Sequence, residues 1–526
     1  ITNVDNPEGI FGQDYRWSVD EPVDLEFVRE VYRRLSGRKN FDFGMDEVLN
    51  LLYENPEMAD INTGISRNEG SFTSYANEPP VPEQVRTLKR SLELKEEASR
   101  LIPGYTQTFS KGPLLFIQGV SPVYLSKGLG SHVWDVDQNE YIDYPMALGP
   151  VILGHNYPAV TNAVVQQINL GTSFSLAHPL ELEVASLLVD QIPCAEMVRF
   201  GKNGSDATSG AVRAARAFTG RDIIACCGYH GWHDWYLAAN LDKDEALDEH
   251  LFPGIDPIGV PQALKGSSIP FAYGDIDALR NKLEQYRGEV AAIIMEPLRS
   301  ELPPPDYLEN VRALASEYQV ILIFDEVSTG FRLAPGGVQE YTGVVPDMAV
   351  FAKSISNGYP MGAVVGKKEV MEPASQMFIS STYWSDGIGL CAALTTLREI
   401  RNRDACKHMK SIGERLQQGI NEQLMRTGLS GNCGGLFVHP SLQFEIEDPH
   451  LLREVTTLYI QEMSRRGCLG YTSFYLNAAQ TTEDVDITVD AAGEVFKLIQ
   501  NGLDKGTIHS LLDCELAQDS FRRLVR

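Results

Sequence analysis

The apolar residues of this chain form short continuous runs between residues 155 and 375, and the stretches between the runs have helical spacing. A strand that is apolar at every position is buried on both faces, which is typical of a parallel sheet covered by helices. The pattern therefore predicts an α/β fold with a large, mainly parallel sheet. The predicted strands are 197–200, 222–226, 290–295, 320–324 and 348–352.

The pattern changes on either side of this region. Short alternating strands at 124–126 and 132–136 precede it, and a turn at 137–140 leads into a strand at 141–143. After about residue 395, two long helices and further strands predict a smaller α+β domain. We therefore divide this part of the chain into four predicted sections: an N-terminal segment (101–154), a large domain (155–395), a small C-terminal domain (396–510) and a tail (511–526).

Residues 1–75 are predicted to form a separate short α/β fragment. A strand at 10–20 is followed by a helix that begins at Glu21 and by a second helix at about 45–53. Three prolines between residues 79 and 82 mark a linker, and a charged helix at about 83–101 follows them. Residues 76–100 are accordingly predicted to be linker and helix.

Composition and charge narrow the possible functions. The chain has 526 residues, of which 43% are hydrophobic, and its formal net charge is -26. That charge argues against binding to nucleic acid or to anionic membranes, because both need a positive face. No apolar run approaches the roughly 20 residues that span a bilayer. The eight cysteines lack metal-ligand spacing, no signal peptide follows Ile1, and we expect a cytoplasmic, processed chain with reduced thiols.

Lys353 and Asp325 carry the most specific chemical signal in the sequence. Asp325 ends the apolar run 320–324, and Lys353 follows the next predicted strand. A lysine can hold an aldehyde cofactor as a Schiff base, while a buried carboxylate pairs with the cofactor's pyridinium nitrogen. The two residues together predict pyridoxal phosphate (PLP) as the cofactor, with a small molecule as the substrate.

A second signal lies at residues 203–206, between a predicted strand and the helix 207–219. Asn203, Gly204 and Ser205 suit an anion cradle, because the N–H groups at a helix N-terminus and a hydroxyl group bind phosphate. The same run is also a good helix cap, and the sequence leaves both interpretations open.

An aromatic loop follows the strand 222–226. Tyr229 is predicted to stack on the cofactor ring, with Val327 on the opposite face. His230 and His233 have either an acid–base role or a structural one. Arg299 follows the strand 290–295, and Thr382 offers a further phosphate donor.

Several of these motifs occur in the order found in one known family. Residues 134–137, 141–144, 149–155, 203–207, 228–231, 324–332 and Lys353 resemble class-III, fold-type-I PLP enzymes of the glutamate-1-semialdehyde aminomutase branch. The resemblance covers residues 95 to 500 and implies that the large sheet is of the seven-stranded type. It also implies a homodimer in which Thr382 reaches the PLP phosphate of the partner subunit. It also implies that His230 belongs to the cofactor site and that Lys353 carries protons during the reaction.

The chain departs from that branch at three positions. Lys111 replaces an arginine that holds the substrate carboxylate, and lysine lacks the two-pronged hydrogen bonding of arginine. Glu301 stands where an amide usually faces the phenolic oxygen of the cofactor. Thr472 aligns with an acidic residue of the aminomutase. These departures distinguish the chain from the aminomutase itself.

Residues 1–75 resemble the C-terminal part of cytidylyltransferases of the CMP-sugar synthetase type. That resemblance implies that Asp20 is a former metal ligand, in an inactive remnant that lacks a nucleotide-binding loop.

Three functions follow from these features. The first is an aminotransferase acting on a carbonyl compound such as a sugar or a CMP-activated intermediate. The second is a decarboxylase or aminomutase acting on a CMP-linked amino acid or phosphonate, and the third is an inactive scaffold. Lys111, His233 and Arg299 are the candidate substrate ligands.

Overall fold

The computed structural model describes residues 22–39, 48, 51–52, 55, 58, 86–243, 246–248, 250, 253–299 and 302–517. The chain separates into two compact units, Ile1–Val85 and Arg86–Arg526. In the first unit, helix α1 (Pro22–Lys39) buries Phe27, Val31 and Leu35, which recur on one helical face. The predicted strand 10–20 lies outside the described residues, as does most of the predicted helix 45–53.

The second unit contains a seven-stranded sheet whose central strands are fully buried on both faces. The strand order is β4-β10-β9-β8-β7-β5-β6, and β10 is antiparallel to both of its neighbours, while the remaining pairs are parallel. Because β10 is antiparallel to both β4 and β9, these two strands run in the same direction. The strands are β4 (Met197–Gly201), β5 (Ile223–Cys227), β6 (Ser268–Pro270), β7 (Val290–Met295), β8 (Ile321–Asp325), β9 (Met348–Phe351) and β10 (Gly362–Gly366).

Helices cover both faces of this sheet, so its apolar strands are packed between two hydrophobic layers. Amphipathic α5, for example, buries Ala207, Ala211 and Ala215 against the sheet. The helices of this domain are α3 (Pro158–Leu170), α4 (Pro179–Gln191), α5 (Gly204–Thr219), α6 (Asp234–Leu237), α7 (Ile276–Gln285), α8 (Tyr307–Glu317), α9 (Val338–Thr342), α10 (Lys368–Met371) and α11 (Gly387–Asn402).

The rest of the second unit is built from the segments before and after the large domain. Strands β1 (Leu125–Leu129), β2 (His132–Asp135), β3 (Glu140–Asp143) and β13 (Cys468–Leu469) form a four-stranded sheet, and β11 (Gly431–Leu436) pairs with β12 (His439–Phe444). The accompanying helices are α2 (Lys89–Leu101), α12 (Ala405–Thr427), α13 (Pro449–Arg465) and α14 (Thr482–Lys505). Among the described residues, no helix is long and apolar enough to cross a membrane.

The five predicted strands of the large sheet are confirmed to within one residue at each end. Strands β6 and β10 were not predicted, because three to five residues bounded by glycine or proline carry little periodic signal. Three helix predictions are wrong in detail. The helix predicted at 83–101 begins at Lys89, α5 begins at Gly204 rather than at 207, and three long helices, not two, follow residue 395 in the part described.

Candidate active site

Asp325 and Lys353 lie at the same edge of the large sheet. Asp325 is the last residue of β8 and pairs in register with Val350 of β9, and Lys353 follows two residues after β9 ends. Asn203, His230 and Glu296 follow β4, β5 and β7, so they also lie at the carboxyl ends of strands. Ligands of open α/β sheets bind along this edge. The large sheet therefore brings together residues that are up to 150 positions apart in sequence.

His230 makes a direct hydrogen bond to Asp325. The two side chains are 1% and 3% exposed, and His230 Nδ1 lies 2.7 Å from Asp325 Oδ2. Asp325 Oδ1 accepts a second hydrogen bond from the main-chain N–H of Val327, at 3.0 Å. The Nε2 atom of His230 is buried without a partner among the described residues. A carboxylate held in this way has a fixed orientation and can still accept a hydrogen bond from a ring nitrogen.

The residues of the predicted anion cradle form the beginning of α5. Asn203 caps the helix, because its side-chain oxygen accepts a hydrogen bond from the N–H of Asp206 at 2.9 Å. The main-chain N–H groups of Gly204 and Ser205 therefore lie in the first turn of the helix, where the helix dipole favours an anion. Both interpretations of this run are thus compatible, because Asn203 caps the helix while the main-chain N–H groups of Gly204 and Ser205 belong to its first turn.

Two glycines allow the cradle to pack closely against its neighbours. A Cβ atom at Gly204 would lie 3.0 Å from a methyl group of Val327, which follows Asp325 on the turn after β8. Gly231 has a φ of +101°, and a Cβ atom there would lie 2.3 Å from the Ser205 hydroxyl oxygen. The cradle is consequently in contact with the turn after β8 and with the aromatic loop.

The aromatic loop is held by a network of polar residues that the sequence did not reveal. The Glu296 carboxylate accepts a hydrogen bond from the main-chain N–H of Tyr229 at 3.1 Å, and His250 Nδ1 accepts one from Gly228 at 2.9 Å. Burial raises the pKa of Glu296, and burial together with Arg299 lowers the pKa of His250 to about 4. No periodic pattern or motif marks these residues, since they act from irregular segments.

Arg299 belongs to this network. Its guanidinium donates to the His250 carbonyl oxygen at 3.1 Å and lies 3.5 Å from the Glu296 carboxylate. Arg299 therefore contacts other residues of the protein next to the Tyr229 main chain.

The amine of Lys353 has a partner that was not predicted. Lys353 Nζ donates to the hydroxyl oxygen of Ser328 at 2.8 Å. The fully buried guanidinium of Arg332 donates to the carbonyl oxygens of Ser328 at 3.1 Å, of Leu476 at 2.7 Å and of Gly149. Burial lowers the pKa of Arg332 to about 10. Ser328 and Arg332 both lie within the motif 324–332, but a serine and an arginine after a strand give no specific signal by themselves.

Lys111 lines a cavity of about 330 Å³. It shares this cavity with Leu148, which precedes Gly149, and with the hydrogen-bonded pair Asp143 and His155, at 2.8 Å. The wall of the cavity is mostly apolar or aromatic. Among the described residues, Lys111 is the only lysine or arginine that lines it. A cavity of this size holds a small organic molecule.

The remaining predicted site residues lie farther from these contacts or outside the described residues. His233 hydrogen-bonds to Ser209 on the second turn of α5, and Thr382 is exposed in the segment before α11. Glu301 and Asp20 lie outside the described residues, so their predicted roles stay predictions.

The described residues fit pyridoxal phosphate. The fit requires an amine for the aldehyde, a buried acid for the ring nitrogen and an anion site for the phosphate. Lys353, Asp325 and the first turn of α5 supply these three groups at one edge of the sheet. The close approach of Gly204 to Val327 places the anion site beside the turn that carries Asp325.

Comparisons with known proteins agree with this arrangement. The sequence model of the family Aminotransferase class-III matches residues 117–431. The chain is 36% identical over 418 residues to the 3-aminobutyryl-CoA aminotransferase of Cloacimonas acidaminovorans, which covers 77% of this chain and 96% of that protein. It is 33% identical to the glutamate-1-semialdehyde 2,1-aminomutase of Syntrophobacter fumaroxidans, over 78% of this chain and 98% of that protein.

A solved structure shares the same architecture. The FumI protein of Sphingopyxis sp. MTA144, solved with PLP, superposes with a TM-score of 0.73 at 26% identity, over 82% of this chain and 99% of that one. The predicted fold type and cofactor are therefore confirmed. This chain belongs to the class-III aminotransferase family and is a PLP-dependent transferase with the fold-type-I architecture.

Proposed function

We propose that this protein transfers an amino group from a small amine donor to a carbonyl acceptor, with Lys353 as the residue that links to the cofactor. The observation that carries the proposal is the meeting of Lys353, Asp325 and the beginning of α5 at one edge of the sheet. When bound, pyridoxal phosphate supplies an aldehyde that condenses with primary amines and a ring that withdraws electrons from the carbon next to the amine.

Each residue has a defined task in this proposal. Asp325, buried and oriented by His230, keeps a proton on the ring nitrogen. Gly204 and Ser205 bind the phosphate, with Thr382 of the partner subunit as a further donor. Tyr229 and Val327 cover the two ring faces. Lys353 carries the proton between the two carbons that lose and gain it.

The cavity beside Lys111 is our candidate for the part of the acceptor that lies away from the reacting carbonyl group. Its volume of about 330 Å³ suits a sugar-sized group, and Lys111 favours a negative charge on it. The resemblance of residues 1–75 to cytidylyltransferases favours a sugar or a CMP-activated carbonyl compound. The relative from Cloacimonas acidaminovorans, named for 3-aminobutyryl-CoA, favours a coenzyme A thioester as the second acceptor to test.

We further propose that the active protein is a homodimer with shared sites. Leu176, Phe378 and Tyr383 are 84%, 86% and 65% exposed, and Phe378 and Tyr383 stand on either side of Thr382 in the sequence. The segment 171–178 is joined to the beginning of α11 by a hydrogen bond from Gly387 to Thr172, so these apolar side chains belong to neighbouring segments. Exposed apolar side chains of this size favour contact with another protein surface.

The dimer has a direct test. Light scattering gives the subunit number, and mixed dimers of Lys353→Ala with Thr382→Ala chains test the sharing of sites. One site of such a mixed dimer has both Lys353 and the partner subunit's Thr382, so we expect activity to reappear on mixing. Inactive mixed dimers would contradict shared sites.

The experiment for the reaction is the absorption spectrum of the purified protein before and after separate addition of glutamate, alanine and other amines. We expect one donor to remove the visible band of the cofactor and a carbonyl acceptor to restore it. Acceptors to compare are sugars, CMP-linked carbonyl compounds, coenzyme A thioesters and glutamate-1-semialdehyde. Lys353→Ala should lack the band, whereas Lys368→Ala, an exposed lysine paired with Glu372, should keep it.

The alternative is a decarboxylase or aminomutase that acts on a CMP-linked amino acid or phosphonate. A visible band that no amine removes would favour it, and release of carbon dioxide from CMP-linked amino acids would then be measured. A Lys353→Ala protein with an unchanged spectrum would contradict both reactions, because neither can proceed without the lysine.

A further inference from the structure

The contact between Ser328 and Lys353 joins the turn after β8 to the residue after β9. Lys353 Nζ and Ser328 Oγ are 2.8 Å apart, and the lysine is the donor. Ser328 lies three residues after Asp325, so one turn carries both the acid for the ring nitrogen and a partner for the lysine amine. We infer that Ser328 is a positioning residue for Lys353, which holds the amine while it is released from the cofactor and stabilises it when it carries a proton.

This inference rests on the proposed role of Lys353. In that role the lysine is linked to the cofactor for one part of the cycle and has a free amine for the rest. A free lysine amine sits on four flexible methylene groups and samples many rotamers. A hydrogen bond to a fixed partner restricts it to the position from which it reaches the substrate carbon.

Ser328 is itself a fixed partner. Arg332 donates to the Ser328 carbonyl oxygen at 3.1 Å and to the carbonyl oxygens of Leu476 and Gly149, and its side chain is 1% exposed. A buried guanidinium with three carbonyl partners has one geometry, because each lost hydrogen bond would leave a buried donor unsatisfied. The main chain of Ser328 is thus held at the junction of three segments of the chain.

The backbone at the other end of the contact is also constrained. Lys353 has a left-handed backbone with a φ of +47°. A non-glycine residue in this conformation is strained and persists because its surroundings hold it.

The proton balance of the proposed step is simple. The bond between the substrate carbon and its hydrogen breaks, its electron pair stays with the substrate and cofactor, and the proton forms a bond to Lys353 Nζ. The amine becomes a positively charged ammonium group, which donates to the Ser328 oxygen, and Ser328 keeps its own proton throughout. The ammonium group later gives the proton to the carbon that gains it. The hydrogen bond to Ser328 holds the ammonium group at the position from which it reaches that carbon.

The test compares Ser328→Ala with two other variants. Ser328→Thr keeps the hydroxyl group, and Ser354→Ala is the matched control, because it removes a buried hydroxyl one residue from Lys353 that bonds only to a carbonyl oxygen. We expect Ser328→Ala to keep the visible band and the KM for the donor. Its kcat should fall about tenfold, the scale of a hydrogen bond to a charged group.

The isotope effect gives a signature of the proton-transfer step. With a donor that carries deuterium on the carbon next to the amine, the kinetic isotope effect on kcat should increase in Ser328→Ala, because proton transfer becomes more limiting. Ser328→Thr should recover most of the rate, and Ser354→Ala should behave like the unmodified protein.

A second measurement uses the protein without cofactor. Acetic anhydride modifies the neutral amine of lysine, and peptide mass spectrometry reports the rate at Lys353. Because the hydrogen bond to Ser328 restrains the amine, we expect modification to be several-fold faster in Ser328→Ala and unchanged in Ser354→Ala. This readout does not depend on the identity of the substrate.

Three results would overturn the inference. They are equal effects of Ser328→Ala and Ser354→Ala, an unchanged isotope effect and modification rate in Ser328→Ala, and loss of the visible band in Ser328→Ala, which would assign Ser328 to cofactor attachment. Failure of the proposed function is distinguishable from all three, because it would be seen in the unmodified protein and in Lys353→Ala.

Discussion

The Nδ1 atom of His230 lies 2.7 Å from the carboxylate of Asp325, and both side chains of this pair are buried. A carboxylate can only accept, so Nδ1 carries the hydrogen of this bond. The pair joins the loop after β5 to the end of β8, and it orients the acid that the proposed chemistry needs. We therefore expect His230 to act through Asp325 rather than on the substrate.

Replacement of His230 tests this role. His230→Leu removes the hydrogen bond but keeps an apolar side chain in a buried position, and we expect kcat to fall about 10- to 100-fold, the scale of a lost hydrogen bond to a charged group. His230→Asn offers an N–H donor near the position of Nδ1 and should recover part of the activity. Steady-state kinetics and the cofactor spectrum check both variants. Equal activity of His230→Leu and the unmodified protein would contradict the role.

Gly231 tests the cradle at the beginning of α5. Gly231→Ala would bring a methyl group to 2.3 Å from the Ser205 hydroxyl oxygen, so Ser205 must move and the hold on the phosphate weakens. We expect the Kd for PLP to rise about tenfold or more, since one charge-assisted hydrogen bond is lost. Titration of the cofactor-free protein with PLP measures this Kd.

Gly220 provides the control for backbone strain. It ends α5 with a φ of +67°, and a Cβ atom there would meet nothing within 4 Å. Gly220→Ala therefore adds a strained left-handed alanine without a clash, and its PLP affinity should not change. Equal loss of PLP affinity in the two variants would attribute the effect to the backbone and not to Ser205.

The sequence predicts the large sheet well because its strands are buried on both faces. Strand β7, for example, is predicted with its observed bounds, since all six of its residues are apolar and buried. The same burial explains why Asp325 could be predicted as a site residue: a carboxylate at the end of a fully apolar strand needs a partner. Strand β10 is missed because Gly362 and Gly366 enclose only three apolar residues.

The supporting residues of the site could not be predicted in this way. Glu296, His250 and Ser328 contact their partners across the sheet edge from irregular segments, and their contacts span 67, 22 and 25 positions of sequence. Such contacts follow from tertiary packing and not from local spacing. The contact of His233 with Ser209 on α5 is of the same kind, and the substrate role of His233 stays a prediction.

Arg332 tests how far the junction around Gly149 stabilises the fold. Arg332→Met removes a buried cation and leaves the carbonyl oxygens of Ser328, Leu476 and Gly149 without this donor. Since unsatisfied buried groups cost about 1 to 3 kcal/mol each, we expect a loss of several kcal/mol and a clearly lower Tm. Arg415→Met is the control, because Arg415 pairs with Asp486 at an exposed position and such pairs contribute about 0 to 1 kcal/mol. Equal Tm values for the two variants would contradict the role of Arg332.

His132 is expected to make stability depend on pH on the alkaline side. Its Nε2 lies 2.9 Å from Asp484 of α14 and its Nδ1 lies 2.9 Å from Glu140 of β3, and the proximity of these two carboxylates raises the pKa of His132 to about 9. Because the folded pKa lies above the ordinary value of 6.5, the contribution of His132 to stability is fully present below about pH 6.5 and is lost as the pH rises through about 9.

His132→Gln should therefore lower the Tm by a few degrees at about pH 6, and the difference should shrink by about pH 10. Asp486→Asn, two residues from Asp484 on the same helix but exposed, should show no such pH-dependent difference. A constant difference between His132→Gln and the unmodified protein across this range would mean that the contact contributes through packing and not through charge.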